Sequence, residues 1–516
     1  MTELKYLMPT RVLMGNDCVV ANAGEFSKFG KKALIVTGST SSRTNGSLAD
    51  VITALGKNGQ GYEIFDAVPP NPTVDCVYLG AGIAKKNGCD FVIALGGGSP
   101  MDAAKVIALL AKKEVDPGQL FSGDYGTEIL PMVFIPTTAG TGSEVTPYAI
   151  ITNDAAETKT GIATPIFFPK LALLDAKYLE SLPKRTMTNT VIDSLSHSIE
   201  GIISSRATLL TDTLAARGIE LVGECLSSLA DGSLTGEMRE SLLLASALGG
   251  MVISNTGTTL LHAMGYSLTY YRDIDHGRAN GLLLVAYLQF VQKHRPDLMQ
   301  KILRPLKMNS LSGLKFIFEK LLGEKEIISG DEISRFAKKA MASKNLGNCA
   351  VVPNEADVLA ILSAVFSPDS ASPNLASKRH SVIEFVKLED FIPSGHFRTI
   401  PPRLRDVPCG VTEISVEFEL SPKLAARMKI HATWDGKVYG YVHDNAKLQS
   451  VFAGDMAKQL KNRRILLNDW GEAFLLTLEN GSRDREITFF VTLKEVEYLF
   501  ANCSVFLEPD ELYGAY

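Results

Sequence analysis

Cysteine is scarce and poorly arranged for a disulfide framework or a thiolate metal site. The 516 residues hold seven, Cys18, Cys76, Cys89, Cys225, Cys349, Cys409 and Cys503, an odd number with no CxxC pair. A reducing compartment fits, and a cytoplasmic protein is expected. The opening segment, MTELKYLMPT, lacks a basic stretch followed by an apolar one, so no secretory signal is expected there. Long apolar runs are also lacking. Ser241–Ile253 and Gly281–Phe290 are the longest, short of the roughly 20 residues a membrane span needs. Positive charge is not in excess: Lys and Arg number 52 against 57 Asp and Glu, a net charge of −5. No global field exists to hold nucleic acid or an anionic membrane, and neither is an expected partner. No solenoid-type repeat is visible. Apolar residues are plentiful at 46%, which excludes a wholly disordered chain. The length suggests about three domains.

Residues 1–180 alternate short apolar runs with helix-like segments. The runs Ala33–Thr37, Phe91–Leu95 and Met132–Ile135 are each followed by Gly, Ser or Thr within a few residues, and Leu48–Lys57 and Thr73–Asn87 read as helices between them. Buried runs of this length alternating with helices predict a parallel α/β sheet, whose ligands sit at the carboxyl ends of the strands. Residues 181–366 lose the strand pattern. Thr190–Ser204, Leu209–Leu229, Met238–Ile253 and Asp331–Ala342 carry helical periodicity and predict an all-helical domain. Residues 367–379, SPDSASPNLASKR, read as a linker. Beyond it, residues 380–516 predict a small, mostly antiparallel α+β domain. Residues 414–420 and 428–434 alternate apolar and polar, 486–493 is β-rich, and Asp435–Gly436 signals a hairpin.

Histidine is sparse, with four in the first 366 residues: His197, His262, His276 and His294. Asp193 precedes His197 by four residues, so a helix sets both on one face. A carboxylate and an imidazole so placed can grip one ion. His262 and His276 could complete a three-nitrogen, one-oxygen set for Fe²⁺ or Zn²⁺. Alone, each residue is weak evidence, since helical histidines are commonly surface or satisfied core residues. Glu200 reads as structural or as support for a ligand. Gly96–Asp102, GGGSPMD, follows a strand and precedes a helix expected at Ala103–Ala111. Glycines there let a phosphate approach the backbone and the helix N-terminus, although the spacing is not GxGxxG. Pro136–Glu144, PTTAGTGSE, is a second such turn, rich in hydroxyls. Either turn could also be a tight connection with no ligand.

Taken together, GGGSPMDAAK at 96–105, PTTAGTGSEVT at 136–146, DSLSH at 193–197 and HAMGYSLTYYRDIDHGRAN at 262–280 resemble the iron-containing (group III) alcohol dehydrogenase family in order and spacing across residues 1 to about 366. The resemblance implies an N-terminal dinucleotide-binding α/β domain, a helical metal-binding domain and an active site in the cleft between them. It implies Asp193, His197, His262 and His276 as ligands of Fe²⁺ or Zn²⁺. It implies Gly97, Gly98, Ser99, Thr137, Thr138, Thr141 and Lys159 as dinucleotide contacts, with Asp102 at the same turn. The implied reaction moves a hydride between a nicotinamide cofactor and a small primary alcohol or diol, or its aldehyde. Relatives commonly self-associate, so a homo-oligomer is expected.

Two departures from the family pattern matter. Members preferring NAD commonly end the first strand with an Asp that repels a 2′-phosphate. Here Gly38 occupies that position, followed by Ser39, Ser41, Ser42 and Arg43, which could receive a phosphate, so NADP(H) is expected over NAD(H). The alternative is that Gly38 only turns the chain, with NAD still accepted. Many relatives place a histidine four residues after the third ligand, and here Tyr266 stands there, as a candidate proton relay or a pocket wall. Thr146, Tyr148, Phe168 and Tyr270 are candidate pocket residues that do not separate an aldehyde reductase from a polyol or hydroxyacid dehydrogenase. A dehydroquinate-synthase-like lyase is disfavoured, because its expected metal set is a Glu with two histidines. A non-enzymatic scaffold is disfavoured by the intact ligand positions. Residues 380–516 resemble no part of the family. A basic run at 458–464 near Trp470 reads first as the solvated end of a helix, and otherwise as a patch for nucleic acid or an acidic partner, and His380, His396, His431 and His443 are too scattered for a metal site. The tail is expected to be an appended interaction or oligomerisation module, with an unknown protein partner, or a fused segment.

Overall fold

The computed structural model describes residues 4–366, apart from residues 124 and 309, and six strands within 386–507. The chain divides into two compact units. One holds Met1–Lys307 and Lys315–Ala371, the other Met308–Leu314 and Ser372–Tyr516. The α/β and helical regions therefore share one unit.

Eight strands organise the first region: β1 (Arg11–Met14), β2 (Lys32–Thr37), β3 (Gly61–Phe65), β4 (Phe91–Gly96), β5 (Met132–Pro136), β6 (Tyr148–Asn153), β7 (Thr158–Ala163) and β8 (Leu171–Leu174). Six form a parallel sheet in the order β1-β8-β5-β4-β2-β3, and β6 and β7 pair as an antiparallel hairpin. Helices α1 (Cys18–Ala21), α2 (Ser41–Thr44), α3 (Ser47–Lys57), α4 (Val74–Lys86) and α5 (Gly98–Lys112) accompany it. Successive strand residues point to opposite faces. Ala33 and Ile35 join one buried cluster with Leu48 and Val51 of α3, while Leu34 and Val36 join another with Val77 of α4 and Val106 of α5. Both faces are thus covered, which explains why β4 and β5 are apolar throughout. Helix α5 starts at Gly98 rather than Ala103, because Pro100 needs no N–H partner in a first turn.

The helical region comprises α6 (Lys184–Ile202), α7 (Leu209–Asp231), α8 (Gly236–Thr256), α9 (Leu260–Arg272), α10 (His276–His294), α11 (Pro296–Leu303), α12 (Leu311–Leu322), α13 (Gly330–Met341) and α14 (Glu355–Phe366). Side-chain caps at Thr208, Thr235 and Ser329 start α7, α8 and α13. Helix α6 is buried from Ile199 back to Met187 on nearly every side. Among the described residues no helix is long and apolar enough to cross a membrane.

In the second unit, β9 (Val386–Lys387), β10 (Ser415–Glu419), β11 (Arg463–Asp469), β12 (Ala473–Leu478), β13 (Ile487–Thr492) and β14 (Ser504–Leu507) form an antiparallel sheet in the order β13-β12-β11-β10-β14-β9. Strand β10 falls within the alternating run 414–420 and β13 within the β-rich run 486–493. Arg463 and Arg464 open β11 instead of closing a helix. Residues 428–434, the Asp435–Gly436 hairpin, residues 458–462, Trp470, and His380, His396, His431 and His443 lie outside the described residues.

Candidate active site and metal centre

The strand order reverses between β2 and β4, because the chain runs from β2 out to β3 and then back across to β4. In open parallel sheets ligands bind at the carboxyl ends of strands beside such a reversal. Gly38, Ser39 and Ser41 follow β2, Gly97, Gly98 and Ser99 follow β4, and Thr137, Thr138 and Thr141 follow β5. Registers Thr37↔Leu95 and Gly96↔Pro136 set these three turns side by side. The Thr137 amide donates to the Gly96 carbonyl at 2.9 Å. A Cβ at Gly98 would come within 2.7 Å of Thr141 Cγ2, and one at Gly97 within 3.0 Å of Thr138 Oγ1, so the two turns touch only because both are glycine. The result is a bare cradle of backbone and hydroxyls at the N-terminus of α5, suited to a dinucleotide's phosphates.

Two residues of the cradle face the protein. The Ser99 hydroxyl accepts from the Asn71 amide at 3.2 Å. Asp102 accepts from Ser143 Oγ at 2.7 Å and from the Ile150 amide at 3.0 Å. Lys105, missed in the sequence, is fully buried beneath them. Its ammonium donates to Ser143 Oγ at 2.7 Å, Thr146 Oγ1 at 3.2 Å and the Tyr148 carbonyl at 2.6 Å. Burial pushes it down to about 8 despite Asp102 and Glu144 nearby. Thr146 is thereby committed to this knot. Tyr148 bonds through its hydroxyl to the Ile253 carbonyl of α8.

Helix α6 buries Asp193, His197 and Glu200 together with several serines. Such burial costs several kcal/mol unless partners are supplied. Helices α9 and α10 supply them. His262 is in the first turn of α9 and His276 is the first residue of α10. Helix α10 can come this close because residue 277 is glycine, where a Cβ would lie 1.8 Å from the Asn189 carbonyl of α6. Nε2 of His197 and Nε2 of His262 then lie 3.1 Å apart. Asp193 Oδ1 is 3.9, 3.8 and 3.7 Å from Nε2 of His197, His262 and His276. A tetrahedral ion with bonds of about 2.1 Å would set its ligand atoms about 3.4 Å apart, so this donor set fits one divalent cation. Two imidazole nitrogens 3.1 Å apart must either share a proton or, if both lone pairs face inward, hold positive charge between them.

The electrostatics agree. Burial drives the His197 and His276 imidazoles down, His276 to about 3, keeping both neutral. Burial alone would raise Asp193, but positive charge on His262, whose own pKa Glu200 raises, and the Asn280 amide hold it below its ordinary value. Asn280 Nδ2 donates to Asp193 Oδ1 at 3.0 Å and lies 3.2 and 3.3 Å from Nε2 of His262 and His276. Sequence reasoning passed over Asn280. The available signal was its position four residues after His276, on the same helix face.

Tyr266 packs its ring flat on His276, with centroids 5.7 Å apart, and edge-on to His262. Burial first, then the negative charges of Glu200, Asp193 and Asp102, push its phenol well up. Lys159, on β7, lines a cavity of about 380 Å³ with Asn71, Thr152, Asp154, Thr269, Tyr270 and Asp273. Burial lowers it to about 8, against the pull of Asp102 and Asp193. Its charge thus lies within electrostatic reach of both the cradle and the donor cluster. Phe168 is buried, and the Tyr270 hydroxyl donates to Asp154 at 3.2 Å.

A doubly wound sheet with a phosphate cradle, joined to helices that converge one carboxylate and three imidazoles, defines a metal- and dinucleotide-dependent enzyme. The particular family follows from comparison. The model for iron-containing alcohol dehydrogenase matches residues 9–176, and that for the C-terminal part of the Fe-containing alcohol dehydrogenase family matches residues 187–366. The chain belongs to this family and is an alcohol/aldehyde oxidoreductase. It is similar to the lactaldehyde reductase of Escherichia coli (strain K12), 34% identical over 54% of this chain and 72% of that protein. Two clostridial butanol dehydrogenases are also similar. The NADPH-dependent enzyme of Clostridium saccharobutylicum is 30% identical over 54% of this chain and 72% of its own. The NADH-dependent enzyme B of Clostridium acetobutylicum is 31% identical over 56% and 76%. Among solved structures, the iron-containing alcohol dehydrogenase of Thermotoga maritima is 37% identical, with a TM-score of 0.66, and covers 70% of this chain and 99% of its own.

Proposed function

We propose that this chain transfers a hydride between NADP(H) and a small primary alcohol or diol, or the corresponding aldehyde, with Fe²⁺, or Zn²⁺ in its place, held by Asp193, His197, His262 and His276. The convergence of those four donor atoms carries the reading. Held by these four residues, the ion would supply polarisation of the substrate oxygen, and a bound nicotinamide would supply the hydride chemistry. The chain's own residues do the rest. Gly97, Gly98, Thr137, Thr138 and Thr141 receive the dinucleotide backbone, and Lys159 adds a positive charge near its reactive end. Ser99 and Asp102 hold the cradle's shape through Asn71, Ser143 and Ile150. Tyr266 forms a wall against His276. Its raised phenol stays neutral at working pH, so it serves as a hydrogen-bond donor to substrate rather than a base.

The preference for NADP(H) rests on residue 38. A Cβ there would meet nothing nearer than the Val68 carbonyl at 3.8 Å, so glycine is not required by space. The missing carboxylate leaves room for a 2′-phosphate beside Ser39 and Ser41. Arg43 is paired with Asp66 at 2.8 Å, but both are well exposed, and such a pair is weak enough for a phosphate to compete. The test follows absorbance at 340 nm with a panel of short aldehydes, with Fe²⁺ or Zn²⁺ supplied and then chelated. Metal-dependent oxidation favouring NADPH is expected. In Gly38→Asp the NADPH/NADH ratio of kcat/KM should fall at least about tenfold, the effect of about 1.4 kcal/mol. An unchanged ratio refutes the cofactor assignment, and activity indifferent to chelation refutes the metal.

A further inference from the structure

We propose that Glu200 is a positioning residue for the metal centre, fixing His262 in the tautomer whose Nε2 lone pair faces Asp193, His197 and His276. The inference rests on the reading of those four residues as a metal site. Glu200 lies seven residues after Asp193 and three after His197, on the same face of α6. One of its oxygens, Oε1, accepts from both the amide and the hydroxyl of Thr259, each at 2.7 Å. The Tyr287 hydroxyl in turn donates to Thr259 Oγ1 at 3.2 Å. The other oxygen, Oε2, is hydrogen-bonded to Nδ1 of His262. Glu200, Thr259, Tyr287 and His262 are all buried, so water does not compete for these bonds.

The consequence follows from donor and acceptor counting. A carboxylate only accepts, so the shared proton belongs to Nδ1, and Nε2 is left with its lone pair. That lone pair points into the space between the other donors, 3.1 Å from His197 Nε2 and 3.8 Å from Asp193 Oδ1. Among the described residues no carboxylate bonds Nδ1 of His197 or His276. His262 is therefore the imidazole whose orientation and basicity are set by a second carboxylate. Asp193 adds one negative charge at the donor cluster directly, and Glu200 adds a second through the ring.

A purely structural role is the competing account, since the Thr259 bonds also tie α6 to the start of α9. Glu200→Gln separates the two. The amide is nearly the same shape and its oxygen can still accept from Thr259. Its NH₂ would face Nδ1, favouring the tautomer that puts a proton on Nε2 where the ion belongs. Co²⁺ and Zn²⁺ affinity would be measured by chelator competition on the full-length protein, with the Co²⁺ absorption spectrum and the Tm of the metal-free protein alongside. The expected result is a 10- to 100-fold loss of affinity, in the range of about 10- to 100-fold known for such outer partners, and a changed Co²⁺ spectrum at an unchanged metal-free Tm. Thr259→Val, which removes one of the two donors on Oε1, should give a smaller loss in the same direction. Wild-type affinity and spectrum in Glu200→Gln overturn the proposal, and so does a lowered metal-free Tm with affinity intact. If Glu200→Gln does not fold, Thr259→Val with wild-type affinity and spectrum overturns it. Wild-type protein that binds no Co²⁺ would instead bring down the metal reading itself, and the wild-type titration reveals this first.

Discussion

Glu144 is a carboxylate with almost no access to water, and one of its oxygens has no hydrogen-bond partner. Burial raises it from 4.5 to about 7, with Lys105 opposing only in part. The folded state therefore holds a proton there between about pH 4.5 and 7 that the unfolded chain has lost. Stability must fall as pH rises through that window. Glu144→Gln carries no such charge. Its stability gain over wild type should vanish below about pH 4.5 and reach at most about 3.5 kcal/mol above pH 7, since each pKa unit is worth about 1.4 kcal/mol. Denaturant unfolding at pH 5 and pH 8 checks this, and an equal gain at both values defeats the burial account. At this scale the sequence is readable where chemistry repeats at helical spacing. Asp193 and His197 at i and i+4 are such a pair. Asn280 and Glu200 lie on the same helical faces as ligands, and that spacing is a signal, but it does not say which ligand each one holds until the partners are placed. Lys105 looked like any lysine ending an AAK stretch, because its burial depends on three acceptors more than 35 residues away.

Helix α8 meets the turn after β5 at two glycines. Gly142 has φ of 60°, and a Cβ at Gly250 would lie 2.5 Å from its carbonyl oxygen. This contact joins the helical region to the loop that carries Thr141. Gly250→Ala should cost about 1–3 kcal/mol through overpacking and weaken dinucleotide binding, because the loop must move. Gly82→Ala on α4 is the control: nothing lies within 4 Å of its Cβ, and a helical Gly→Ala exchange there should stabilise by about 0.5–1 kcal/mol. Thermal unfolding and NADPH titration of both variants decide the matter. If Gly250→Ala behaves like Gly82→Ala, the two glycines are not a contact constraint. Elements were legible in proportion to their length and apolar continuity. Strands β2, β4 and β5 lie within a residue of expectation. Strands β1 and β8, four residues each, were missed because their strand state comes from pairing with each other across more than 150 residues of chain, and the polar β7 (TKTGIA) because it is a strand through its hairpin with β6 rather than through an apolar run of its own.

The matched family segments end at residue 366, and the solved relative from Thermotoga maritima is covered over 99% of its length by 70% of this chain. A complete relative thus corresponds to the first part of the protein alone. Within that part lie all the residues assigned here to the ion and the dinucleotide, and the first unit itself extends to Ala371. The antiparallel sheet of β9–β14 draws its strands from residues beyond 385. A chain cut after Ala371 should fold, bind one Co²⁺ or Zn²⁺, and reduce the best aldehyde of the panel with kcat/KM within about threefold of full length, a difference of under about 0.7 kcal/mol in transition-state stabilisation. Loss of turnover with metal binding and Tm intact would assign the C-terminal residues to the reaction itself. Loss of all three together would make the second unit part of the first unit's stability. Full retention would separate the tail's role from catalysis, and oligomeric state measured on both chains would then show whether the tail governs self-association.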